Sequence, residues 1–123
     1  MDRLFFALGA LSACMAVIAG ALGSHALKHR LAPDMLAVFE IGVRYQMYHA
    51  LALLGVGLAS ARWGGAYMAV GGWCFIIGTF LFSGSIYQLS LTNTKFLGIV
   101  TPIGGAIWMI GWVSIALGAL RAK

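Results

Sequence analysis

Only a handful of side chains in this sequence have the right types for chemistry, and they are unevenly placed. Two of its histidines, His25 and His49, sit beside long apolar stretches, whereas His29 lies between Lys28 and Arg30 and reads as solvated. Histidines on two facing helices are the set that ligates a haem iron axially. A neutral imidazole also suits a quinone or lipid-headgroup contact. Against haem, His25 lies ~160° around a helix from Gly23, off the small-residue face. There is also no second pair and no C-x-x-C-H motif. A structural hydrogen bond or an interface histidine asks least of the residues.

Further polar groups interrupt the apolar stretches near the same end of the molecule: Ser24, Gln46, Ser83, Ser85, Tyr87, Gln88 and Thr101. A buried polar group without a partner costs about 1–3 kcal/mol by mutational data. These groups are therefore expected to meet one another or water. Two readings fit: a hydrogen-bond network that fixes helix register, or a small pocket open toward that end. The candidate ligand-binding cluster is His25, Gln46, His49, Ser83, Ser85, Tyr87 and Thr101, with His25, Gln46, His49 and Ser83–Ser85 expected at comparable depth.

Other chemistries find no support. Cys14 and Cys74 read as small apolar side chains. Zinc takes three or four His, Cys or carboxylate ligands, and no such cluster is present. The acids are only Asp2, Asp34 and Glu40, so no Ser-His-Asp set is credible. Glu40 and Arg44 read as an i,i+4 surface pair rather than a proton relay. The pairs Gly71-Gly72 and Gly104-Gly105 lie inside apolar runs and do not form a phosphate loop. No catalytic residue, metal or cofactor is assigned, and enzymatic activity is left open.

The elements that must position the cluster follow from composition. Hydrophobic residues make up 62% and charged residues 9% of the 123 residues, with mean hydropathy +0.95. Soluble domains carry about 25% charged residues. A soluble enzyme is excluded, and so is a disordered chain. The net charge of +5 comes from basic residues scattered between apolar blocks, which points to anionic headgroups rather than nucleic acid.

No Asp, Glu, Lys or Arg occurs in 4–27, 45–61, 63–94 or 96–120. A helix needs about 20 residues to cross the hydrocarbon core. The runs predict an all-α membrane protein with four transmembrane helices near 3–26, 43–61, 66–91 and 96–120, in one domain over 1–123. The apolar stretch from Leu4 to Leu22 is too long for a usual signal-peptide core, so it is retained as a span. Between the first two spans, Pro33-Asp34 with Met35, Leu36, Phe39 and Val43 predicts a short interfacial helix that runs into the second span, with Gly42 as the place for a bend.

Helices in lipid associate through small residues. Gly9/Ala16/Gly23, Gly71/Gly78/Ser85 and Gly104/Gly111/Gly118 each recur every seven positions, which predicts a small left-handed bundle. Trp63 and Tyr67 are expected at one interface, Tyr45 and Tyr48 at the other. Both termini fall on one side, here side A. The candidate cluster falls toward side B, while Ser12, Ser60 and Ser114 fall toward side A. Side A carries Arg3, Arg62, Arg121 and Lys123; side B carries Lys28, Arg30, Arg44 and Lys95. If Arg44 is held by Glu40, side A leads and both termini are expected in the cytoplasm.

Four ordered motifs are similar to those of one family: Gly20-Ala21-Leu22-Gly23-Ser24-His25-Ala26-Leu27; Arg44-Tyr45-Gln46-Met47-Tyr48-His49-Ala50-Leu51; Leu81-Phe82-Ser83-Gly84-Ser85 with Tyr87; and Thr101-Pro102-Ile103-Gly104-Gly105. The chain resembles the bacterial inner-membrane family catalogued as domain of unknown function 423, itself similar to transmembrane protein 256 of eukaryotes. Ser24 replaces an expected Ala, a small-for-small exchange. The resemblance implies a multi-pass protein of the bacterial inner (plasma) membrane with four helices, and it brings no catalytic residue with it.

Three function classes remain. The first is a structural, accessory or lipid-associated membrane protein, with membrane lipids, a second copy or a larger membrane complex as partners. The second is a small oligomeric transporter or channel, disfavoured by the absence of an acid within the spans. The third is a membrane subunit that binds a quinone or haem through His25 or His49.

Overall fold

The computed structural model describes residues 1–122, so Lys123 lies outside the described residues. All regular structure among them is helical. Helix α1 covers Asp2–Ser24, α2 covers Pro33–Arg62, α3 covers Gly65–Thr79, α4 covers Ser85–Thr92 and α5 covers Val100–Arg121. A π-helical turn over Phe80–Gly84 joins α3 to α4, so the two act as one rod. Short 3-10 turns at Leu27–His29 and Lys95–Ile99 lead into α2 and α5. Three stretches are long and apolar enough to cross a membrane: Asp2–His29, Gly65–Thr92 and Lys95–Arg121. Helix α2 is not among them, because it carries Asp34, Glu40, Arg44, Gln46 and His49.

Local chemistry sets the ends. Pro33 opens α2, where its missing N–H is harmless and its fixed φ fits a helix. The turn into α3 passes through Gly64 and Gly65 at φ 59° and 84°, a left-handed path that only glycine follows cheaply. Asn93 ends α4 in the left-handed region at φ 55°, the other residue type that tolerates it.

The small-residue stripes are the packing seams. Helix α1 runs antiparallel to α2 with Gly9, Ala16 and Gly23 buried. A Cβ at Gly9 would lie 2.9 Å from both Ala50 O and Leu54 N, and one at Gly57 would lie 2.8 Å from Asp2 O and Phe6 N. Helix α5 packs in the same way on the α3–α4 rod. Gly111 faces Cys74 and Phe75, Gly118 faces Tyr67 and Met68, and Gly78 accepts the Trp108 indole. Gly104 sits directly on the backbone of the π turn, where a Cβ would lie 2.5 Å from Phe82 N. Between these two pairs Phe5, Leu53, Val56, Phe75 and Trp108 form the core. Side chains such as Leu11, Leu58, Phe80 and Met109 are exposed, an apolar exterior that water would not tolerate.

The helix expected to start at Pro33-Asp34 runs into the second long helix, the two forming one continuous 30-residue α2. At Gly42 the missing side chain makes room for α4, since a Cβ there would lie 2.8 Å from Ile86 Cγ2 and 2.9 Å from Tyr87 Cε1. By the α1–α2 register Tyr45 and Tyr48, expected near an interface, fall level with the middle of α1. Tyr45 instead packs against Phe82 and Trp108.

Candidate functional site: a polar floor beneath an apolar cleft

Helix α2 presents Gly42, Gln46 and His49 on one face, at the i, i+4, i+7 spacing that aligns residues along a helix. Each holds a different neighbour. The Gly42 carbonyl accepts from Ser83 Oγ at 2.7 Å, which ties α2 to the π turn. Gln46 bridges two helices. Its Nε2 donates to Ser12 O at 3.1 Å and Ser12 Oγ at 3.4 Å, and its Oε1 accepts from Tyr87 OH at 2.6 Å. Partners of opposite character at its two ends fix the orientation of the amide.

His49 is held on every side. Its Nδ1 lies 2.8 Å from Tyr45 O, an acceptor, so Nδ1 carries the proton. Its Nε2 accepts from Trp112 Nε1 at 3.2 Å. The two bonds together assign a neutral imidazole with an unprotonated Nε2. The ring stacks on Trp108 at 3.6 Å and 3° between planes and meets Phe75 edge-on at 5.3 Å. Trp108 Nε1 in turn donates to Phe75 O at 3.3 Å.

The π turn serves two neighbours at once. Ser83 reaches α2, while Ser85 Oγ donates to Phe82 O at 2.9 Å and meets Thr101 Oγ1 of α5 at 2.6 Å. With the Ser85 proton committed to Phe82, Thr101 is the donor in the second bond.

Phe5 seats on Gly72 and joins α1 to α3 near side A. Beyond that contact a cleft of about 400 Å³ opens between α1 and the α3–α4 rod, with α2 as its floor. Its walls are Leu8, Leu11, Met15, Leu53, Ile76 and Phe80; its floor and rim carry Ser12, Gln46, His49, Thr79, Ser83 and Tyr87. The hydrogen-bonding groups around it are already engaged, Thr79 included, since its hydroxyl donates to Phe75 O at 2.8 Å. The cleft therefore presents apolar surface over a floor without formal charge. Among the described residues, no group of three or more His, Cys, Asp or Glu could hold a metal ion.

The structure brings together four of the seven residues singled out in the sequence. Gln46, His49, Ser83 and Tyr87 line the cleft. Ser85 and Thr101 bond to each other on the α5 side of the rod. His25 stands apart: it is exposed at the end of α1 and makes no side-chain hydrogen bond among the described residues. Its expected depth is corrected by the register. Gly23 packs on Phe39, so His49 lies ten residues further along α2, roughly 15 Å by the helical rise. The expected pairing of Glu40 with Arg44 is corrected too, since no ion pair joins them among the described residues.

Sequence reasoning missed Ser12, Trp108 and Trp112. Ser12 was assigned to the opposite end, but the antiparallel register brings it level with Gln46. The tryptophans gave no periodic signal beyond Trp108 lying four positions from Gly104.

The family model described as "Protein of unknown function (DUF423)" matches residues 19–105. The UPF0382 membrane protein SSP2132 of Staphylococcus saprophyticus is 41% identical over 119 residues, 97% of this chain and 98% of that protein. The UPF0382 membrane protein YwdK of Bacillus subtilis is 39% identical over 120 residues, 97% of this chain and 98% of its own length. A UPF0382 membrane protein of Haemophilus influenzae is 37% identical over 124 residues, 100% of this chain and 98% of that relative. No solved structure matches the chain. Matched along nearly its whole length, and with its motifs forming the two seams and the polar floor, the chain belongs to the DUF423 family of UPF0382 membrane proteins.

Proposed function

We propose that this protein is a four-span, lipid-associated protein of the bacterial inner membrane whose lateral cleft holds an apolar chain, such as the acyl chain of a phospholipid. The fourth span is α2. It lies against α1 from Phe39–Gly23 at one end to Gly57–Asp2 at the other, so if α1 crosses the bilayer, α2 crosses with it. The heptad spacing of the small-residue seams supports a left-handed bundle.

The observation that carries the reading is the cleft itself. It has about 400 Å³, within the usual range for small-molecule sites, and its walls are aliphatic and aromatic. The floor groups each have a partner within the protein, so an occupant need supply no hydrogen bonds. A lateral opening flanked by exposed Leu11, Met15 and Phe80 gives access from lipid.

Gly84 supplies the test. It lines the cleft, and a Cβ placed there would meet nothing within 4 Å. Gly84→Leu is expected to fill the space without disturbing the fold. Purified protein in vesicles with a phospholipid carrying a diazirine in its acyl chain should be labelled on Leu11, Met15 or Phe80, and Gly84→Leu should lose most of that labelling. Equal labelling of both proteins at those residues would defeat the reading.

Orientation follows the same placement. Arg44 lies level with Gly20, since Val43 packs there, and so sits on α2 at the side B boundary rather than in the connection. The connecting charges are then Lys28, Arg30 and Lys95 on side B against Arg3, Arg62, Arg121 and Lys123 on side A. The excess supports both termini in the cytoplasm.

A further inference from the structure

Glu40 and Arg44 lie on the flank of the α1–α2 seam away from the cleft, ~140–180° around α2 from His49 at ~100° per residue. Together with Gly20, Gly23, Ser24 and Phe39 they line a second cavity of about 270 Å³. One helical turn apart, they have the spacing and the order of an intrahelical ion pair. Yet neither forms an ion pair or a side-chain hydrogen bond among the described residues, although both open onto this one cavity. Gly20 and Gly23 leave the opposite wall without side chains. The notch is at the end of α1, the level at which the four-span placement puts the boundary between acyl chains and headgroups.

We infer that this notch binds the zwitterionic headgroup of an ethanolamine phospholipid, with the phosphate on Arg44 and the ammonium on Glu40. Polarity along the membrane normal selects this occupant. Helix α2 enters from side B, so Arg44 lies deeper than Glu40 by four residues, ~6 Å of helical rise. In an ethanolamine lipid the phosphate is likewise deeper than the ammonium, from which a two-carbon bridge separates it. An anionic lipid without an amine would satisfy Arg44 and place its charge beside Glu40. A choline headgroup has no N–H to donate to the carboxylate. A guanidinium binds phosphate through a planar donor fork, and an ammonium binds carboxylate as a compact multiple donor.

The inference uses the four-span placement and is independent of the cleft. The test is native mass spectrometry of delipidated protein, titrated separately with phosphatidylethanolamine, phosphatidylglycerol and phosphatidylcholine. The wild type should retain the ethanolamine lipid roughly tenfold better than the other two. Glu40→Gln should lose that preference and gain the glycerol lipid, whereas Arg44→Gln should weaken both. The double exchange Glu40→Arg with Arg44→Glu keeps both charges but inverts their depth, and it should lose the preference. Gly84→Leu, which fills the cleft, should lower total lipid retention while keeping the wild-type preference for the ethanolamine lipid over the other two, so failure of the cleft reading and failure of this one are separable. Equal retention of the ethanolamine and glycerol lipids by the wild type overturns the inference, as does wild-type preference in the exchanged protein. Lipid-free melting and circular dichroism establish that each variant is folded. If the double exchange does not fold, Glu40→Gln alone decides, and an undiminished preference in it overturns the inference.

Discussion

The indole N–H of Trp112 donates to Nε2 of His49 at 3.2 Å, and that bond leaves the imidazole no free nitrogen. The other nitrogen is already spent on the Tyr45 carbonyl one turn earlier. A histidine bound in this way acts as a rigid, neutral spacer between α2 and α5. One of its flat faces is also occupied, by Trp108. This geometry accounts for a histidine deep among aromatic side chains with no ion or acid beside it.

The tautomer is a direct prediction. In protein carrying ¹⁵N-labelled histidine, His49 should show a protonated Nδ1 and an unprotonated Nε2. Trp112→Phe removes the donor and leaves Nε2 without a partner, which should destabilise the fold by about 1–3 kcal/mol in a detergent unfolding experiment. A protonated Nε2 in the wild type would contradict the assigned pair of bonds.

The glycine seams predict a graded series. At Gly104 an added Cβ meets the backbone of the π turn at 2.5 Å, which no rotamer change relieves. At Gly111 it would lie 2.9 Å from Cys74 Cβ and 3.0 Å from a Phe75 ring carbon. At Gly84 and Gly55 nothing stands within 4 Å. Gly104→Ala and Gly111→Leu should therefore each cost at least about 1–3 kcal/mol, as overpacking does. Gly55→Ala should be neutral or slightly stabilising, because alanine favours a helix by up to ~1 kcal/mol over glycine. Melting midpoints in one detergent rank the variants, and a Gly104→Ala protein as stable as the wild type would place that seam wrongly.

Gln46 and Tyr87 make a separable test of the polar floor. Tyr87→Phe removes the hydroxyl that donates to Oε1, and Gln46→Leu removes the amide that also reaches Ser12. Each change alone is expected to cost on the order of 1 kcal/mol. The double variant should cost less than the sum, by about 0.5 kcal/mol or more, because both substitutions remove the same bond. Strict additivity in a double-mutant cycle would mean that the two side chains do not interact.

Some of this was legible in the residues. The breaks between apolar runs give the three long apolar segments to within a few residues, and the seven-residue glycine spacing marks the faces that pack. Both signals are properties of a single helix. The start of α2 was legible in Pro33-Asp34, but its displacement along α1 was not, because that register belongs to the pair of helices and not to either one. That one displacement moves Tyr45, Gln46 and His49 toward mid-bundle and separates His49 from His25. The Ser12–Gln46 bond depends on the register between two helices, and the Trp112–His49 bond joins residues 63 positions apart. Neither leaves a periodic trace in the sequence. Leu81–Ser85 stood out as a motif, but no spacing in it marks a π turn.

The last prediction concerns the direction of insertion. Orientation follows basic residues in the connections and at the ends of the spans. Lys28 lies in one 3-10 turn with Arg30 directly after it, and Lys95 begins the other, both on side B. On side A, Arg3 and Arg62 lie at the ends of α1 and α2, and Arg121 bonds to the Tyr67 hydroxyl while its guanidinium lies 5.1 Å from the centre of that ring. Lys123 adds a fourth basic residue beyond the described residues. With Arg44 on α2 rather than in a connection, side A leads by one charge, so both termini should be cytoplasmic. Fluorescent-protein and alkaline-phosphatase fusions at the C-terminus should be bright and inactive, respectively. A margin of one charge also predicts sensitivity: adding two lysines between Leu31 and Pro33 should invert some or all of the molecules. An active C-terminal phosphatase in the wild type would reverse the assignment. An orientation unmoved by the added lysines would mean that something other than loop charge, such as the Arg121–Tyr67 anchor, sets the direction.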